Sequence, residues 1–400
     1  LAEPMGSGKP VQVIRALARL RRMGEAVFPA VVVCPTGVML GWQDEFERWD
    51  PDVDTTIVHG NIAVRRERLA EPHDVYIINY EGLKSHSRLA PYGSIQLRHC
   101  NECDENLSPN SPRARCERCP KELNLPLPAG VHARTIIIDE GHRIKNAQAK
   151  QTRAVWAVAD KAEFRFVLTG TPIANNPADL WSIMRAINKD DHPSRERFID
   201  LWCEQGYAFW GGAEVLGIKA QFRDAFFKVI DPRMRRLPKE IILPFLPPVR
   251  HSVRRVTMSP KQAKIYRQME EHMAADLDGE LLFAVNPLVK VGRLMQMASA
   301  TAYFDDDGGV TLADPSCKLD ALMEIINEMA GDQLVVASAS RKLANLAIKR
   351  LERSSITCGM IAGGMDIHER KRVEHDYQSS KIQAVVCVID DTSRRDTVTL

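Results

Sequence analysis

The sequence contains no apolar run approaching the roughly 20 residues that a membrane-spanning helix requires, and its first residues show no basic-then-apolar signal segment. It contains no repeat at solenoid periods and no region with the composition typical of disorder. These absences predict a folded protein with no membrane partner. We expect a cytoplasmic location, at the nucleoid or, in a eukaryote, in the nucleus.

The chain also lacks a strong excess of either charge, since 54 Lys and Arg face 52 Asp and Glu, for a net charge of +2. This balance neither favours nor excludes a polyanionic partner. Basic residues do cluster, at 15–22, 65–68, 233–239 and 250–255. For each cluster, a solvated helix face and a contact with phosphate remain open alternatives.

Short apolar segments rich in β-branched residues alternate with helical patterns. In the first part of the chain they lie at 30–35, 74–80, 135–140 and 165–171. In the last part they lie at 333–340, 357–363 and 382–389. Such runs are typical of strands buried on both faces of a parallel sheet, and open α/β sheets bind ligands where these strands end. The pattern predicts an α/β protein with two domains, separated by a Pro-rich connector at 237–249.

A glycine-rich loop lies within the first eleven residues, and a helical pattern follows it. The loop residues are Gly6, Ser7, Gly8 and Lys9. Glycines let backbone N–H groups turn towards phosphates, and the lysine neutralises phosphate charge. Glu3 and Pro10 depart from the strict pattern, which has glycine and Ser or Thr there, so an ordinary glycine turn is the alternative. Because such a loop normally follows a buried strand, we expect the chain to be a fragment without that strand.

An acidic pair, Asp139 and Glu140, ends the apolar run at 135–140. In phosphate-loop ATPases a carboxylate at this position holds magnesium, and its neighbour polarises the attacking water. We assign the magnesium to Asp139 and the water to Glu140. The alternative is an Asp-Glu pair that caps the next helix, and the occurrence of loop and pair in the expected order disfavours it.

Four of the nine cysteines form two C-x-x-C pairs separated by twelve residues: Cys100, Cys103, Cys116 and Cys119. Two such pairs can supply a tetrahedral set of thiolates, and in a reducing cytoplasm zinc is favoured over disulfides. We therefore predict a zinc knuckle that protrudes from the first domain. Its arginines favour a contact with DNA or a protein partner, and a purely structural knuckle is the alternative. The other five cysteines lie in apolar contexts and are predicted to be core thiols.

Several motifs occur together in one order. They are MGSGK, CPTGVMLGWQDEFERW, NYEGL, IIIDEGHRIKN, LTGTPIANNPADLWSIM, RRLPKE and MSPKQAKIY. In this order and spacing, the chain resembles superfamily 2 helicase-like ATPases of the SWI/SNF type. The resemblance implies two RecA-like domains with parallel sheets, at 1–245 and 246–400, the second truncated and incomplete. It places the zinc insert at 96–125 and a helical extension at 177–236 in the first domain, and a helical region at 260–330 in the second.

The resemblance also implies roles for individual residues. Nucleotide contacts would come from Gly6, Ser7, Gly8, Lys9 and Pro10, and from Thr169, Gly170 and Thr171, which link nucleotide state to domain closure. The catalytic residues would be Lys9, Asp139, Glu140 and His142, with ATP and Mg²⁺ as cofactors beside Zn²⁺. Segments that touch DNA would contain Pro35, Thr36, Trp42, Asn79 and Tyr80. For Trp42, packing in the core is favoured over DNA contact.

Departures from the family bear on activity. Pro10 suits the first position of a helix, but it removes a magnesium-ligating hydroxyl and an amide donor. Losing one hydrogen bond to a charged group costs about 1.5 to 3 kcal/mol, or about one to two orders of magnitude in affinity or rate. Gly141 replaces the usual alanine, which we expect to be a mild change. The tail at 390–400 lacks the family's glycine-rich run and the arginine-bearing segment after it, and a truncated or frame-shifted reading of a longer gene would explain this.

Three functions are therefore considered. The first is a DNA-dependent ATPase that moves along double-stranded DNA without regard to base sequence. The second is a hydrolysis-impaired, zinc-bearing DNA-binding protein of the same fold, and Pro10 and the altered tail motivate it. The third is a strand-separating helicase, which the tryptophan-bearing segment at 34–49 and the segment at 168–184 disfavour because they fit the translocase branch better.

Overall fold

The computed structural model describes most of the chain. The described residues are 1–86, 99–100, 105–106, 133–173, 176–191, 194–207, 213–304, 309–329 and 331–389. Among them, no helix combines the length and the apolar composition that crossing a membrane would require. The chain forms two compact units, Leu1–Pro247 and Pro248–Leu400, which are called the first and the second unit.

The first unit is built on a parallel sheet. The strands of this unit are β1 (Ala30–Cys34), β2 (Thr55–Val58), β3 (Val75–Asn79), β4 (His99–Cys100), β5 (Glu105–Asn106), β6 (Thr135–Asp139), β7 (Phe164–Leu168), β8 (Cys203–Tyr207) and β9 (Ala213–Ile218). Five of them form one sheet in the order β2-β3-β1-β6-β7, and every neighbouring pair in it is parallel. The pairs β4-β5 and β8-β9 are separate and antiparallel.

Helices connect and cover these strands. They are α1 (Lys9–Arg22), α2 (Met39–Trp49), α3 (Ile62–Ala70), α4 (Tyr80–His86), α5 (Lys150–Ala159), α6 (Ala178–Ile187), α7 (Arg195–Trp202), α8 (Arg223–Ile230) and α9 (Lys239–Ile242). Short 3-10 helices lie at Thr36–Val38, Gly141–Ile144, Ala220–Phe222 and Asp231–Arg233.

Strand β1 shows why its apolar run is continuous. All five of its residues are buried, because successive side chains point to opposite faces of the sheet and both faces are covered. Val31 and Val33 belong to the core that contains α5 and α6 residues. Val32 and Cys34 belong to the core on the other face, with residues of α1 and α2.

The second unit contains a smaller parallel sheet. Its helices are α10 (Pro260–His272), α11 (Pro287–Met297), α12 (Cys317–Glu328), α13 (Arg341–Arg353) and α14 (Ile367–Gln378). Its strands are β10 (Ala274–Leu277), β11 (Glu280–Phe283), β12 (Thr301–Phe304), β13 (Val310–Ala313), β14 (Leu334–Ser338), β15 (Cys358–Ile361) and β16 (Ala384–Val388). Strands β14, β16 and β15 pair in that order and in parallel, whereas β10-β11 and β12-β13 are antiparallel hairpins.

The predicted α/β class with parallel sheets is confirmed, since each of the seven apolar runs overlaps a parallel strand. The regions expected to be helical are more mixed. The segment 177–236 contains α6, α7 and α8, and also the β8-β9 hairpin. The segment 260–330 contains α10, α11 and α12, and also two hairpins.

Candidate nucleotide site

The glycine-rich loop turns through two left-handed residues before α1. Gly6 has a φ of 79° and Gly8 a φ of 73°, a region that residues with a Cβ rarely occupy. Gly8 caps α1, and no side chain bonds to that helix end. A Cβ at Gly8 would meet no atom within 4 Å. Backbone and space at this helix end therefore suit a phosphate group.

Lys9 is the first residue of α1, and its side chain folds back over the loop. It is 7% exposed, and its Nζ donates hydrogen bonds to the carbonyl oxygens of Glu3 (3.1 Å) and Pro4 (3.0 Å). The ammonium group therefore lies against the loop backbone. Within the same loop, the buried Ser7 hydroxyl has no hydrogen-bond partner, so it is a donor that a phosphate oxygen could satisfy. These features fit the predicted nucleotide.

Gln12 holds the loop in a way that the sequence did not predict. Its Nε2 donates to Glu3 Oε2 (2.7 Å) and to the Ser7 carbonyl (3.1 Å). Glu3 is 1% exposed, and its other oxygen lies 3.2 Å from Nε of Arg235, an ion pair without hydrogen-bond geometry. Glu3, which departs from the strict phosphate-loop pattern, thus anchors the loop. No sequence pattern distinguishes Gln12 from a solvated residue on an amphipathic helix.

Pro10 is the second residue of α1 rather than the first. The amide at this position also lies among the four that have no partner within a helix, so proline is tolerated. Pro10 brings neither a hydroxyl nor an N–H to the loop. The side-chain magnesium ligand of the strict pattern is therefore missing.

Asp139, the last residue of β6, is held by a donor on each oxygen. The indole N–H of Trp42 donates to Oδ2 (2.9 Å), and the backbone N–H of Glu140 donates to Oδ1 (2.9 Å). Burial raises the pKa of the Asp139 carboxyl, while the Trp42 hydrogen bond and the nearby Lys9 charge lower it. The structure thus brings the loop lysine and the predicted magnesium carboxylate together.

Glu140 is connected through His142 to Thr169, the residue after β7. Glu140 adopts a left-handed backbone with a φ of 51°, and its Oε2 lies 3.2 Å from Nδ1 of His142. The same Nδ1 lies 3.5 Å from Oγ1 of Thr169. Thr169 Oγ1 in turn accepts the N–H of Thr171 (3.1 Å). The predicted residues of these two motifs therefore form one linked group.

The segment after β7 also adjoins the loop. Leu1 donates its amino group to the Val167 carbonyl (2.7 Å), and its carbonyl accepts the N–H of Thr169 (3.0 Å), which is the pattern of a parallel pair. A Cβ on Gly170 would lie 3.8 Å from the Glu3 carbonyl oxygen. Loop, acidic pair and threonine segment all meet at the carboxyl end of the sheet, where α/β proteins bind ligands.

The residues predicted in DNA-contacting segments have internal partners. Asn79 Nδ2 donates to Thr36 Oγ1 (2.8 Å), and the Tyr80 hydroxyl donates to the Asp139 carbonyl (2.5 Å). Burial raises the pKa of the Tyr80 phenol well above its ordinary value. Trp42 is 2% exposed, which confirms its interpretation as a core residue. Trp42 and Tyr80 thus connect α2 and α4 to the acidic pair, whereas Asn79 joins the end of β3 to Thr36.

Members of the basic clusters also form ion pairs. Arg21 pairs with Asp50 (3.0 Å), Arg233 with Asp191 (2.5 Å), and Arg254 with Glu328. These three arginines therefore form ion pairs within the protein. Phosphate contact by the clusters remains a proposal.

The predicted zinc ligands lie almost wholly outside the described residues. Only the backbone of Cys100 is described, at the end of β4. Among the residues that the structure describes, no group of three or more His, Cys, Asp or Glu could hold a metal ion. Of the five cysteines predicted to be core thiols, Cys34, Cys203, Cys317 and Cys387 are buried and Cys358 is half-buried.

The chain is thus an α/β protein whose first unit brings a glycine-rich loop and an acidic pair together at the carboxyl end of its parallel sheet. The chain belongs to the SNF2-related domain family, whose sequence model matches residues 1–286. The resemblance to superfamily 2 helicase-like ATPases of the SWI/SNF type is thereby confirmed.

Known relatives share a modest part of their sequence with this chain. The SWI/SNF chromatin-remodeling complex subunit snf22 of Schizosaccharomyces pombe is 27% identical over 70% of this chain, which spans 15% of that protein. The putative ATP-dependent helicase/translocase YwqA of Bacillus subtilis is 25% identical over 96% of this chain, which spans 38% of it. The Sulfolobus solfataricus SWI2/SNF2 ATPase core in complex with dsDNA aligns with 98% of this chain and 75% of its own, at 21% identity and a TM-score of 0.44.

Proposed function

We propose that this chain binds ATP with magnesium in its first unit and couples ATP hydrolysis to movement along double-stranded DNA. The observation that carries the proposal is the meeting of Lys9, Asp139 and the His142-linked Glu140 at one end of the sheet. The family adds support, because relatives named as a chromatin-remodeling subunit and as a helicase/translocase share this segment. Such a protein would work at the nucleoid or in a nucleus.

Each residue has a distinct task in this proposal. Lys9 and the backbone N–H groups at Gly6, Ser7 and Gly8 bind the phosphates. Asp139 would hold the magnesium, which supplies charge neutralisation at the phosphates when bound. Glu140 accepts the proton of the attacking water, and His142 fixes the Glu140 carboxylate and connects it to Thr169.

Double-stranded DNA is the proposed partner because relatives in the family are named as acting on chromatin or as translocases. The net charge of +2 does not contribute to this argument. The proposal is tested by measuring phosphate release with no DNA, with duplex DNA and with single-stranded DNA of the same sequence. We expect duplex DNA to raise the rate and added salt to reduce this stimulation, since contacts with the DNA backbone are screened. A rate that is the same in all three samples would contradict the DNA-translocase proposal.

A second candidate is a hydrolysis-impaired DNA-binding protein of the same fold. Pro10 favours it, because the loop offers no hydroxyl where magnesium needs a ligand. This candidate predicts DNA binding with no magnesium-dependent nucleotide turnover. The two candidates differ in one measurable quantity, the dependence of nucleotide binding and turnover on magnesium.

Restoring the hydroxyl with Pro10→Thr is expected to tighten magnesium-dependent ATP binding by about tenfold or more, the equivalent of one hydrogen bond to a charged group. Calorimetry with and without magnesium measures this. Pro10→Ala is the matched control, because alanine restores the backbone N–H without the hydroxyl. If threonine and alanine have the same effect, the hydroxyl does not contribute, and if neither tightens binding, Pro10 is not what limits the site.

We also propose that the segment around Cys100 is a zinc knuckle that contacts DNA or a protein partner. Support comes from the backbone pairing of β4 with β5, in which His99 faces Asn106 and Cys100 faces Glu105. The two strands of this pair flank Cys103 in the sequence. A zinc ion there would tie the segment together through four thiolates.

Protein purified without chelator is expected to contain about one zinc per chain. Replacing Cys103 and Cys116 by serine should reduce the zinc content to a small fraction of that, as measured by elemental analysis. Cys358→Ser is the control, because this half-buried free thiol lies outside the motif, and it should leave the zinc content unchanged. Substoichiometric zinc in the unaltered protein would argue against the knuckle.

A further inference from the structure

Trp42 places its one polar atom on the magnesium carboxylate. The indole is 2% exposed and packs beside Phe46, with ring centroids 6.2 Å apart. Buried indole N–H groups usually find an acceptor, and that of Trp42 is Oδ2 of Asp139 at 2.9 Å. Helix α2 and strand β6, which are distant in sequence, are thus joined at the site itself.

A second tryptophan on the same helix shows that burial alone does not create such a bond. Trp49 lies seven residues after Trp42, and its ring packs against the same core, with the guanidinium groups of Arg15 and Arg48 each 5.3 Å from its centroid. The Trp49 Nε1 is buried and has no hydrogen-bond partner. The two tryptophans therefore lie on one helix and pack against one core, but only the N–H of Trp42 donates a hydrogen bond.

The bond matters because few groups fix the Asp139 carboxylate. One oxygen accepts the Trp42 N–H and the other accepts the backbone N–H of Glu140. Without the indole donor, the Oδ2 atom would lose that partner, and the carboxylate could rotate about its Cβ–Cγ bond. Because Pro10 supplies no hydroxyl, Asp139 is also the one side chain assigned to magnesium in this site.

Resting on the proposed nucleotide function, we propose that Trp42 is a positioning residue for the magnesium carboxylate. Its N–H holds Asp139 in the orientation that magnesium–nucleotide binding requires. This role belongs to the N–H of Trp42. The ring has a separate role, which is to pack in the core.

The test compares Trp42→Phe with Trp49→Phe in the full chain. Both substitutions keep an aromatic ring and remove an indole N–H, and Trp49→Phe removes one without a partner. Affinity for the slowly hydrolysed analogue ATPγS is measured by calorimetry with magnesium and with EDTA. For Trp42→Phe we expect the gain in affinity on adding magnesium to fall about tenfold, with affinity in EDTA unchanged. Trp49→Phe should alter neither.

A spectroscopic measurement reports the bond directly. The indole N–H resonances of the six tryptophans are recorded by ¹⁵N-labelling, and the two variants assign those of Trp42 and Trp49. Magnesium added to the ATPγS complex should shift the Trp42 resonance and leave that of Trp49 in place. A purely structural tryptophan would give no such selective shift.

The outcomes are distinct. An unchanged magnesium gain in Trp42→Phe overturns the inference, while magnesium-dependent nucleotide binding by the unaltered protein leaves the proposed nucleotide site standing. An equal loss of affinity with magnesium and with EDTA also overturns it, because Trp42 would then support the loop rather than the carboxylate. No nucleotide binding by the unaltered protein in either condition refutes the proposed function, and the inference that rests on it.

Discussion

Glu140→Gln is expected to lower the rate of ATP hydrolysis by about 10² to 10⁴ while nucleotide affinity stays unchanged. The reason is that glutamine cannot accept the proton of the attacking water, a contribution of this size in enzymes that use general bases. Glutamine can still bond to His142, whose Nδ1 lies 3.2 Å from the glutamate oxygen. The variant should therefore keep the contact with His142 and the nucleotide affinity, and lose the general base. Single-turnover phosphate release and ATPγS calorimetry measure the two quantities separately.

Glu81→Gln is the control for this substitution, because Glu81 is an exposed carboxylate in the first turn of α4. It should hydrolyse ATP at the rate of the unaltered protein. If Glu140→Gln hydrolyses ATP as fast as the control, Glu140 is not the base. If both proteins bind ATP and neither hydrolyses it, the hydrolysis-impaired candidate takes first place.

Gly141→Ala, which introduces the family's usual residue, is expected to lower the melting temperature of the protein by roughly 2 to 12 °C. The added Cβ would lie 2.3 Å from Cγ1 of Val167, far inside van der Waals contact. Val167 is buried in the core on that face of the sheet, so it cannot move away freely. Overpacking of this kind costs about 1 to 3 kcal/mol, which corresponds to the expected change in melting temperature. Thermal unfolding followed by circular dichroism measures it.

The double variant Gly141→Ala with Val167→Ala tests the cause. Val167→Ala alone leaves a cavity and destabilises, but it also frees the space that the new methyl group needs. The double variant should therefore be less destabilised than the sum of the two single variants, with a coupling of about 0.5 to 3 kcal/mol. Additive effects would show that the clash is relieved elsewhere. The sequence predicts that glycine at position 141 is a mild departure from the family. In this structure, the position of Val167 instead requires glycine there.

The sheet could be predicted from the sequence because its signal is local. In β6, Ile136, Ile137 and Ile138 follow one another because both faces of the strand are covered, and the acidic pair comes directly after them. Strand β2 was missed because it is short and its residues are alternately half-buried and buried. The β10-β11 hairpin was also missed, although Asp278 and Gly279 at its turn are a recognised signal and both have positive φ.

The site could be predicted only in outline. The loop, the acidic pair and the threonine segment are contiguous motifs, so each could be found by its own spacing. The contacts that organise them join distant positions, as the Trp42–Asp139 and Glu3–Arg235 pairs do. No periodicity records such pairs, because they depend on how the strands are ordered and how the helices cross them. Trp42 was recognised as a core residue, but the acceptor of its N–H could not be inferred.

The left-handed backbone of Glu140 has an energetic cost that another residue would avoid. A non-glycine residue at a φ of 51° costs of order 1 to 3 kcal/mol, and glycine at this position would remove most of that cost. Selection for stability alone would therefore favour glycine, and a protein that only binds DNA would gain from it. The chain instead has a glutamate at this left-handed position. A cost of this kind is expected of a residue that serves the proposed hydrolysis and not the stability of the fold.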